Sequence, residues 1–125
     1  MIVGLGLDVI PISRIATMLA RYGARLERRL FTDEERAYCR GRGVPAQHFA
    51  VRFAAKEALL KAMGAPSGLR WREIEVVAGP GGAPALRLTG AAADAASARG
   101  AVRRHVSLTH AGDVAAAVVV LEGTP

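Results

Sequence analysis

Glu57 is the residue of this sequence whose position is hardest to explain by packing alone. It belongs to a segment, residues 50–64, that reads as one helix. At about 100° per residue, Glu57 falls within a sector of about 80° that holds large apolar side chains, those of Phe49, Phe53 and Leu60. A carboxylate near a core needs a cationic partner, a hydrogen-bond network or a metal ion, since otherwise it takes up a proton. An ion pair with Lys56 or Lys61 and a metal site both satisfy this requirement.

Asp8 is the second carboxylate at a position suited to chemistry. The first eight residues alternate with the period of two that is typical of a strand. The apolar set is predicted to face the core and consists of Val3, Leu5 and Leu7. The other side carries Asp8 with Gly4 and Gly6, and the two glycines leave space there for a ligand or another chain segment. A turn that begins at Asp8 before Pro11 is an equally good interpretation of this position alone.

A row of basic side chains runs along the first predicted helix, placed at residues 11–22 by Pro11 at its start and Gly23 after its end. Its buried face is predicted to consist of Ile12, Ile15, Leu19 and Tyr22. The opposite face carries the basic stripe, defined as Arg14, Met18, Arg21 and Arg25. A solvated charged face is the usual origin of such a row, but three arginines with no intervening acid also suit an acidic partner.

The charge of the whole chain is strongly one-sided. It has 17 lysine and arginine residues against 11 aspartate and glutamate residues, a formal net charge of +6 and a pI near 10.7. Such a chain should attract nucleic acid, a phosphate-rich small molecule or an acidic protein. Its 125 residues, 51% of them hydrophobic and 22% charged, predict one packed domain.

Several classes of protein are disfavoured. No apolar run approaches the roughly 20 residues of a membrane helix, and the sequence starts with a strand-like segment instead of a charged leader and cleavage site. We therefore expect no membrane association and a cytoplasmic location. A single cysteine, Cys39, excludes an internal disulfide and a cysteine-cluster zinc site.

The remaining segments predict the other elements. Thr32-Asp33-Glu34-Glu35 has the spacing of a capping box, which predicts a helix over 33–40, and the central helix runs from about Gln47 to Met63 before Gly64. Further elements are a β-hairpin at 71–77 and 85–89, an alanine-rich helix at 91–98, and strands at 105–109 and 114–121. The expected fold is a single α+β domain, residues 1–125, with a mainly antiparallel sheet packed against a long central helix and shorter helices.

Three groups of residues together resemble the holo-acyl-carrier-protein synthases, which are short, single-domain 4′-phosphopantetheinyl transferases. They are Gly6-Leu7-Asp8, Phe53-Ala54-Ala55-Lys56-Glu57-Ala58 with Lys61, and Val106-Ser107-Leu108-Thr109-His110. The resemblance covers essentially the whole chain. It implies a homotrimer with the 4′-phosphopantetheinyl transferase fold that moves 4′-phosphopantetheine from coenzyme A to a serine of apo acyl carrier protein. Adenosine 3′,5′-bisphosphate leaves, and the holo product supports fatty acid biosynthesis.

The resemblance also assigns roles to residues. The family's magnesium ligands match Asp8 and Glu57, and Mg²⁺ usually takes one or two carboxylates with phosphate oxygens and waters. Lys61 lies about 40° around the helix from Glu57 and one turn further on, so we expect it to reach a phosphate held there; a plain surface lysine is the alternative. Weaker candidates for contacts to the nucleotide phosphates are Arg52, Lys56 and His105, and Pro84 is expected to shape the adenine pocket.

The general base is left open by the sequence. Glu57, directly or through a metal-bound water, is the first choice for accepting the serine proton, and His110 or Asp113 is the second. The chain also departs from the family. Ala83 stands where relatives often carry a basic residue between a glycine and a proline, and the segment between Gly41 and Gln47 is short and glycine-rich, so one contact to coenzyme A and the edge of the nucleotide site are expected to differ.

The basic stripe is predicted to bind a partner protein, and two other classes of function are alternatives to the transferase. Acyl carrier proteins are acidic, as the resemblance implies, so the stripe is expected to dock one. A nucleic-acid-binding domain would explain the charge but not Asp8 and Glu57, and Trp71 alone is no stacking platform. A purely structural trimeric module would not explain the two acids either. We therefore expect no nucleic-acid partner.

Overall fold

The central helix is the element against which the rest of the chain packs. The computed structural model describes all residues from Met1 to Pro125. Its elements, in chain order, are β1 (Ile2–Pro11), α1 (Ile12–Leu30), α2 (Asp33–Arg40), α3 (Pro45–Ala62), β2 (Ile74–Ala78), β3 (Pro84–Leu88), α4 (Gly90–Ala98), β4 (Arg103–Ala111) and β5 (Val114–Glu122). The predicted α+β class and the order of elements are confirmed. The strand predicted from Trp71 starts only at Ile74, because Trp71–Glu73 forms a 3₁₀ turn.

The strands form two antiparallel sheets. The larger has the order β1-β5-β4, and the smaller is the β2-β3 hairpin. Asp8 lies opposite Ala117 of β5, which in turn lies opposite Leu108 of β4. Helix α3 covers the inner face of the larger sheet, where alternate residues of β5 are buried: Ala115, Ala117, Val119 and Leu121. None of the helices combines the length and apolarity needed to cross a membrane.

The two glycines of β1 face α3, which reverses the predicted orientation of this strand. A Cβ atom on Gly6 would lie 1.8 Å from the carbonyl oxygen of Ala58, and one on Gly4 would lie 2.2 Å from that of Ala62. The glycines therefore serve close approach of the helix backbone and leave no open space for a ligand. Leu5 and Leu7, predicted to face the core, are 65% and 59% exposed. The alternation was read correctly, but it does not say which side of the strand meets the helix.

The outer face of the larger sheet is apolar along β1 and β5. Three exposed side chains of β1 form one row on it, those of Leu5, Leu7 and Val9. Their neighbours on β5 are half-buried, namely Ala116, Val118 and Val120. We call these six residues the outer sheet face. The six side chains are contiguous across two neighbouring strands, and large contiguous apolar surfaces mark interaction sites.

Helix α1 is longer than predicted. Gly23 has a non-helical conformation (φ 64°, ψ −151°), but the chain resumes the helix after this one residue and continues to Leu30. Ile12 and Ile15 are buried as predicted, whereas Tyr22 is 54% exposed. The break at Gly23 changes the direction in which the following residues point, so one helical period does not describe both halves.

The capping box of α2 is confirmed and extends into a buried ion pair. Thr32 Oγ1 accepts a hydrogen bond from the Glu35 backbone (3.2 Å), and Glu35 Oε1 accepts one from the Thr32 backbone (2.9 Å). Glu35 is also the carboxylate that pairs with Lys56, at 2.7 Å, and both side chains are completely buried. Lys56 Nζ donates further to the carbonyl oxygens of Leu30 (2.8 Å) and Trp71 (3.2 Å), so all three ammonium protons are used.

The buried charge on α3 is therefore Lys56, and Glu57 is only half-buried. The predicted helical sector placed Glu57 among the buried side chains but said nothing of Lys56. Phe49 is completely buried, while Phe53 and Leu60 are half-buried beside Glu57. Alanines lie on most of the circumference of α3, so other elements can pack against this helix from several sides. A single apolar stripe therefore describes α3 poorly.

Loss of the Lys56 ammonium should destabilise the fold strongly. Lys56→Met leaves Glu35 as an unpaired buried carboxylate, so we expect a loss of about 3–5 kcal/mol in the free energy of unfolding, measured by urea denaturation. Lys61→Met is the matched control on the same helix, because the Lys61 side chain is half exposed and its ion pair should contribute about 1 kcal/mol or less. Equal losses in the two variants would contradict the structural role of the Lys56–Glu35 pair.

Candidate active site

Asp8 and Glu57 line the same depression between β1, α1 and α3. The depression has a volume of about 260 Å³ and is also lined by Val9, Ile10, Arg14, Met18 and Phe53. Asp8 belongs to the inner side of β1, in line with Gly4 and Gly6, so the close approach of α3 brings Glu57 to it. The two carboxylates predicted to act together are thus neighbours on one surface.

Lys61 pairs with Asp8 and not with Glu57. Its ammonium donates to Asp8 Oδ1 and to the carbonyl oxygen of Leu7, each at 3.0 Å. The Lys61 side chain is 53% exposed, so a ligand entering the depression can reach its ammonium. The ion pair between Glu57 and Lys56 or Lys61 that the sequence left open is absent, because Lys56 pairs with Glu35.

Glu57 is left without a hydrogen-bond or ion-pair partner. Burial raises its pKa above the ordinary value of 4.5, and the negative charge of Asp8 raises it further. The positive charges of Lys61 and Arg14 lower this pKa but do not reverse the shift. Asp8 and Glu57 are adjacent, and the pKa of Glu57 is raised. A bound cation would therefore stabilise the ionised form of this pair.

A second depression, of about 570 Å³, lies between α2, α3 and the β2-β3 hairpin. Arg52 projects into it from α3, and Arg42 from the loop after α2. Neither arginine forms a salt bridge, and the buried Nε of Arg52 has no acceptor. Two acids also line the depression, but Glu34 pairs with Arg87 and Glu35 with Lys56. The free charge of this depression is therefore positive.

The pKa of His48 responds to the positive charge of the second depression. Burial lowers its pKa below 6.5, and the charges of Arg52 and Arg42 lower it further, with a contribution from His110. The hairpin turn closes the depression through Gly82 and Pro84. Ala83 supplies no cation, and Arg42 and Arg52 provide one each from the facing elements. Sequence reasoning missed Arg42 and His48; the only local signal was the Gly-Arg-Gly segment around Arg42.

Comparison with known proteins now decides the family. The model of the 4′-phosphopantetheinyl transferase superfamily matches residues 4–119. The chain belongs to this superfamily. It is 54% identical to the holo-[acyl-carrier-protein] synthase of Anaeromyxobacter dehalogenans, over 99% of this chain and 98% of that protein.

Solved structures agree with the assignment to the transferase superfamily. The holo-[acyl-carrier-protein] synthase of Neisseria meningitidis has a TM-score of 0.85 and 31% identity, over 98% of this chain and 99% of that one. The Helicobacter pylori holo-[acyl-carrier-protein] synthase, solved in complex with coenzyme A, has a TM-score of 0.81 and 26% identity, over 94% of this chain and 99% of that one.

For a transferase of this superfamily, Asp8 and Glu57 fit a divalent cation. Hard oxygen ligands suit Mg²⁺, which needs only one or two carboxylates when phosphates and waters complete its shell. No third histidine, cysteine or acid joins the pair, so the protein part of such a site would consist of these two residues. The raised pKa of Glu57 favours this fit, because a cation would offset the burial and the repulsion from Asp8 that disfavour the ionised carboxylate.

Three residues predicted to take part in chemistry have other places in the structure. Lys56 is completely buried and bonded to three acceptors, so it is not available to a nucleotide phosphate. Asp113 accepts hydrogen bonds from the backbone (2.8 Å) and hydroxyl (2.6 Å) of Ser13 and thereby caps α1, and it does not line the depression of Asp8 and Glu57. His105 pairs with Glu122 at 2.9 Å and projects, like Val120 opposite it, away from α3.

The other predicted residues divide between the two depressions and the surface of α1. Arg14 and the half-buried Met18 belong to the depression of Asp8 and Glu57, while Arg21 and Arg25 line a separate groove along α1. Pro84 and Arg52 belong to the second depression. His110 is exposed near the end of β4, and its charge contributes to lowering the pKa of His48 in the second depression. The basic stripe thus starts beside the two carboxylates.

Glu57→Gln should stabilise the metal-free protein at neutral pH. Glutamine keeps the shape and removes a charge that burial and Asp8 disfavour. Because the pKa of Glu57 is raised in the folded state, its contribution to stability is fully present below 4.5 and is lost as the pH rises through the folded pKa. The gain in Tm of the variant should therefore be full at pH 7–8 and vanish near pH 4.

The same melts should be repeated with Mg²⁺. We expect Mg²⁺ to raise the Tm of the unmutated protein and to leave that of Glu57→Gln nearly unchanged, because the variant has lost one ligand charge. A variant that is less stable at every pH, or an equal response of both proteins to Mg²⁺, would argue against a cation site at Asp8 and Glu57.

Proposed function

We propose that this chain is a holo-acyl-carrier-protein synthase that transfers 4′-phosphopantetheine from coenzyme A to a serine of apo acyl carrier protein. The observation that carries the proposal is the grouping of Asp8 and Glu57 at one depression, with Lys61 paired to Asp8, in a chain of the transferase superfamily. The products are holo acyl carrier protein and adenosine 3′,5′-bisphosphate. The holo protein then serves fatty acid biosynthesis, and we place the reaction in the cytoplasm, where coenzyme A and its carrier are used.

Asp8 and Glu57 would hold the magnesium ion of this reaction. Such an ion would supply positive charge that offsets the negative charge of the phosphate groups. Lys61 acts from the other side: its half-exposed ammonium can leave Asp8 for a phosphate oxygen and neutralise the charge that develops on the departing bisphosphate. Removal of either carboxylate leaves the remaining one with Lys61, an arrangement with no excess negative charge to attract a cation.

Glu57 is our choice of general base. The serine Oγ loses its proton to the Glu57 carboxylate, the Oγ–phosphorus bond forms, and the bond from phosphorus to the bisphosphate oxygen breaks. The Glu57 carboxylate lines the depression and has no side-chain partner in the chain, so one of its oxygens is free to accept a proton directly or through a water bound to the ion. His110 is the second candidate, but its charge acts on His48 in the second depression instead of on Glu57.

The nucleotide end of coenzyme A is proposed to bind in the second depression. Arg42 and Arg52 offer two unpaired guanidinium groups to its phosphates, and Pro84 forms part of the wall. Helix α3 connects the two depressions, because Arg52 and Phe53 are consecutive and line different ones. Leu108, in the second depression, is two strands from Asp8, which corresponds to about 10 Å across the sheet.

A homotrimer formed through the outer sheet face completes the proposal. Leu5, Leu7 and Val9 are exposed in the single chain and would be covered by neighbouring subunits. His105 lies on the same side of the sheet, so in such an assembly it stands at a subunit boundary. A ligand bound between subunits could therefore still meet His105, as binding sites at such boundaries often combine residues from both sides.

Transfer can be measured directly by the intact mass of an apo acyl carrier protein incubated with this protein, coenzyme A and Mg²⁺. The carrier should gain the mass of one phosphopantetheine group. Asp8→Asn and Glu57→Gln should each slow the gain on the order of 100-fold or more, because each removes a ligand charge while keeping the shape. Asp33→Asn is the control, since Asp33 is an exposed acid outside both depressions. Absence of a mass gain on every carrier tested would refute the proposed function.

The basic stripe is predicted to dock the acidic carrier protein. Arg14→Glu and Arg21→Glu should raise the KM for the carrier much more than the KM for coenzyme A, and the advantage of the unmutated protein should shrink as ionic strength rises. Steady-state kinetics at two salt concentrations measure both effects. Equal increases in the two KM values, or independence of salt, would assign these arginines to the nucleotide or to ordinary surface.

The trimer is tested by light scattering on the purified protein. We expect three copies, and we expect Leu7→Glu to reduce the assembly to smaller species, because it introduces a charge in the middle of the outer sheet face. Val102→Glu is the control: this valine is also exposed but precedes β4 and does not belong to the outer sheet face. An active monomer of the unmutated chain would contradict the proposal.

A further inference from the structure

One aromatic ring in the second depression is shared by two arginines. Tyr38, near the end of α2, is 42% exposed. The guanidinium carbon of Arg42 lies 4.2 Å from its ring centroid, and that of Arg52 lies at the same distance. The ring of His48 meets Tyr38 edge-on at 5.8 Å. Three groups that carry or can carry positive charge therefore converge on a single tyrosine.

The repulsion between the charges of Arg42 and Arg52 makes this cluster unfavourable unless a negative charge or the aromatic ring offsets it. Two like charges are held near each other, and neither guanidinium pairs with a carboxylate. Arg42 is flanked by Gly41 and Gly43, so its backbone is easily displaced and its side chain loses much freedom when fixed. The contact of Arg42 with the Tyr38 ring is what holds it over the depression, since the face of an aromatic ring attracts cations.

The unpaired hydrogen-bond donors of the two arginines indicate which kind of ligand they would bind. Arg52 uses one Nη to donate to the carbonyl oxygen of His48 (3.2 Å), while its buried Nε has no acceptor. The guanidinium group of Arg42 donates to no acceptor in the chain. Planar guanidinium groups bind phosphate oxygens through paired N–H donors. Two of them lining one depression match a terminal phosphate, which carries more charge than a carboxylate or a bridging phosphodiester.

We propose that Tyr38 is a positioning residue that holds Arg42 and Arg52 as a clamp for a phosphate monoester and thereby sets the specificity of this site. The inference rests on the proposed function, in which the ligand is coenzyme A and the monoester is its 3′-phosphate. Tyr38 itself need not touch the ligand. Its ring joins an arginine of a glycine-rich loop to an arginine of the rigid helix α3, so that both reach one anion.

The test compares binding of coenzyme A and 3′-dephospho-coenzyme A by isothermal titration calorimetry. The unmutated protein should prefer coenzyme A. Tyr38→Leu removes the ring face and should weaken binding of coenzyme A about fivefold to thirtyfold, with little change for the dephospho compound. Tyr38→Phe keeps the ring and should retain the preference. Tyr22→Leu is the matched control, because the ring of Tyr22 also lies under an arginine, Arg21 at 5.4 Å, but on the surface of α1.

Kinetics provide a second readout. At saturating coenzyme A, Tyr38→Leu should keep the kcat of the unmutated protein, while its KM for coenzyme A rises. If Tyr38→Leu weakens both ligands equally, the tyrosine has only a packing role, and the inference is wrong. It is also wrong if the unmutated protein binds the two ligands equally well, although phosphopantetheine transfer would then still stand. Failure of the proposed function itself is distinguishable, because the carrier protein would then gain no mass.

Discussion

The buried ion pair between Lys56 and Glu35 fixes the rotation of α3, and the geometry of the site follows from that rotation. The ammonium group of Lys56 donates to three acceptors, which belong to α1, α2 and the turn before β2. Burial lowers the pKa of Lys56 and the Glu35 carboxylate opposes this shift, so the pair is held by its full set of hydrogen bonds and not by charge alone. With Lys56 directed into the core, Glu57 is turned about 100° from it, toward β1 and Asp8.

The distance between the helix and the strand is set by the absence of two side chains. Gly4 and Gly6 meet the carbonyl oxygens of Ala62 and Ala58, at separations that no Cβ atom could occupy. Each of these alanines directly follows a site residue in the sequence, Ala58 after Glu57 and Ala62 after Lys61. The same contacts that pack α3 on β1 therefore bring its carboxylate and its ammonium to Asp8. Stability and chemistry depend here on the same backbone approach.

Much of this could be predicted from the sequence, because local signals are strong where they act within one element. The capping box of α2, the end of α3 and the order of elements along the chain depend on neighbouring residues. The orientation of β1 could not be predicted, since Gly4 and Leu5 alternate equally well with either side facing the helix. The burial of Lys56 and the convergence of Arg42 and Arg52 on Tyr38 could not be predicted for a related reason. Both depend on partners 14 to 26 residues away or on a loop, which periodicity does not describe.

The central claim is that Asp8 and Glu57 form one cation site beside the diphosphate of coenzyme A. The most direct measurement is a crystal structure of the protein with coenzyme A and Mn²⁺, in which anomalous scattering locates the metal. The account predicts one metal ion bonded to carboxylate oxygens of both Asp8 and Glu57 and to a diphosphate oxygen, with Lys61 turned to a phosphate. A metal ion held by only one of the two carboxylates, or a diphosphate bound away from both, would contradict it.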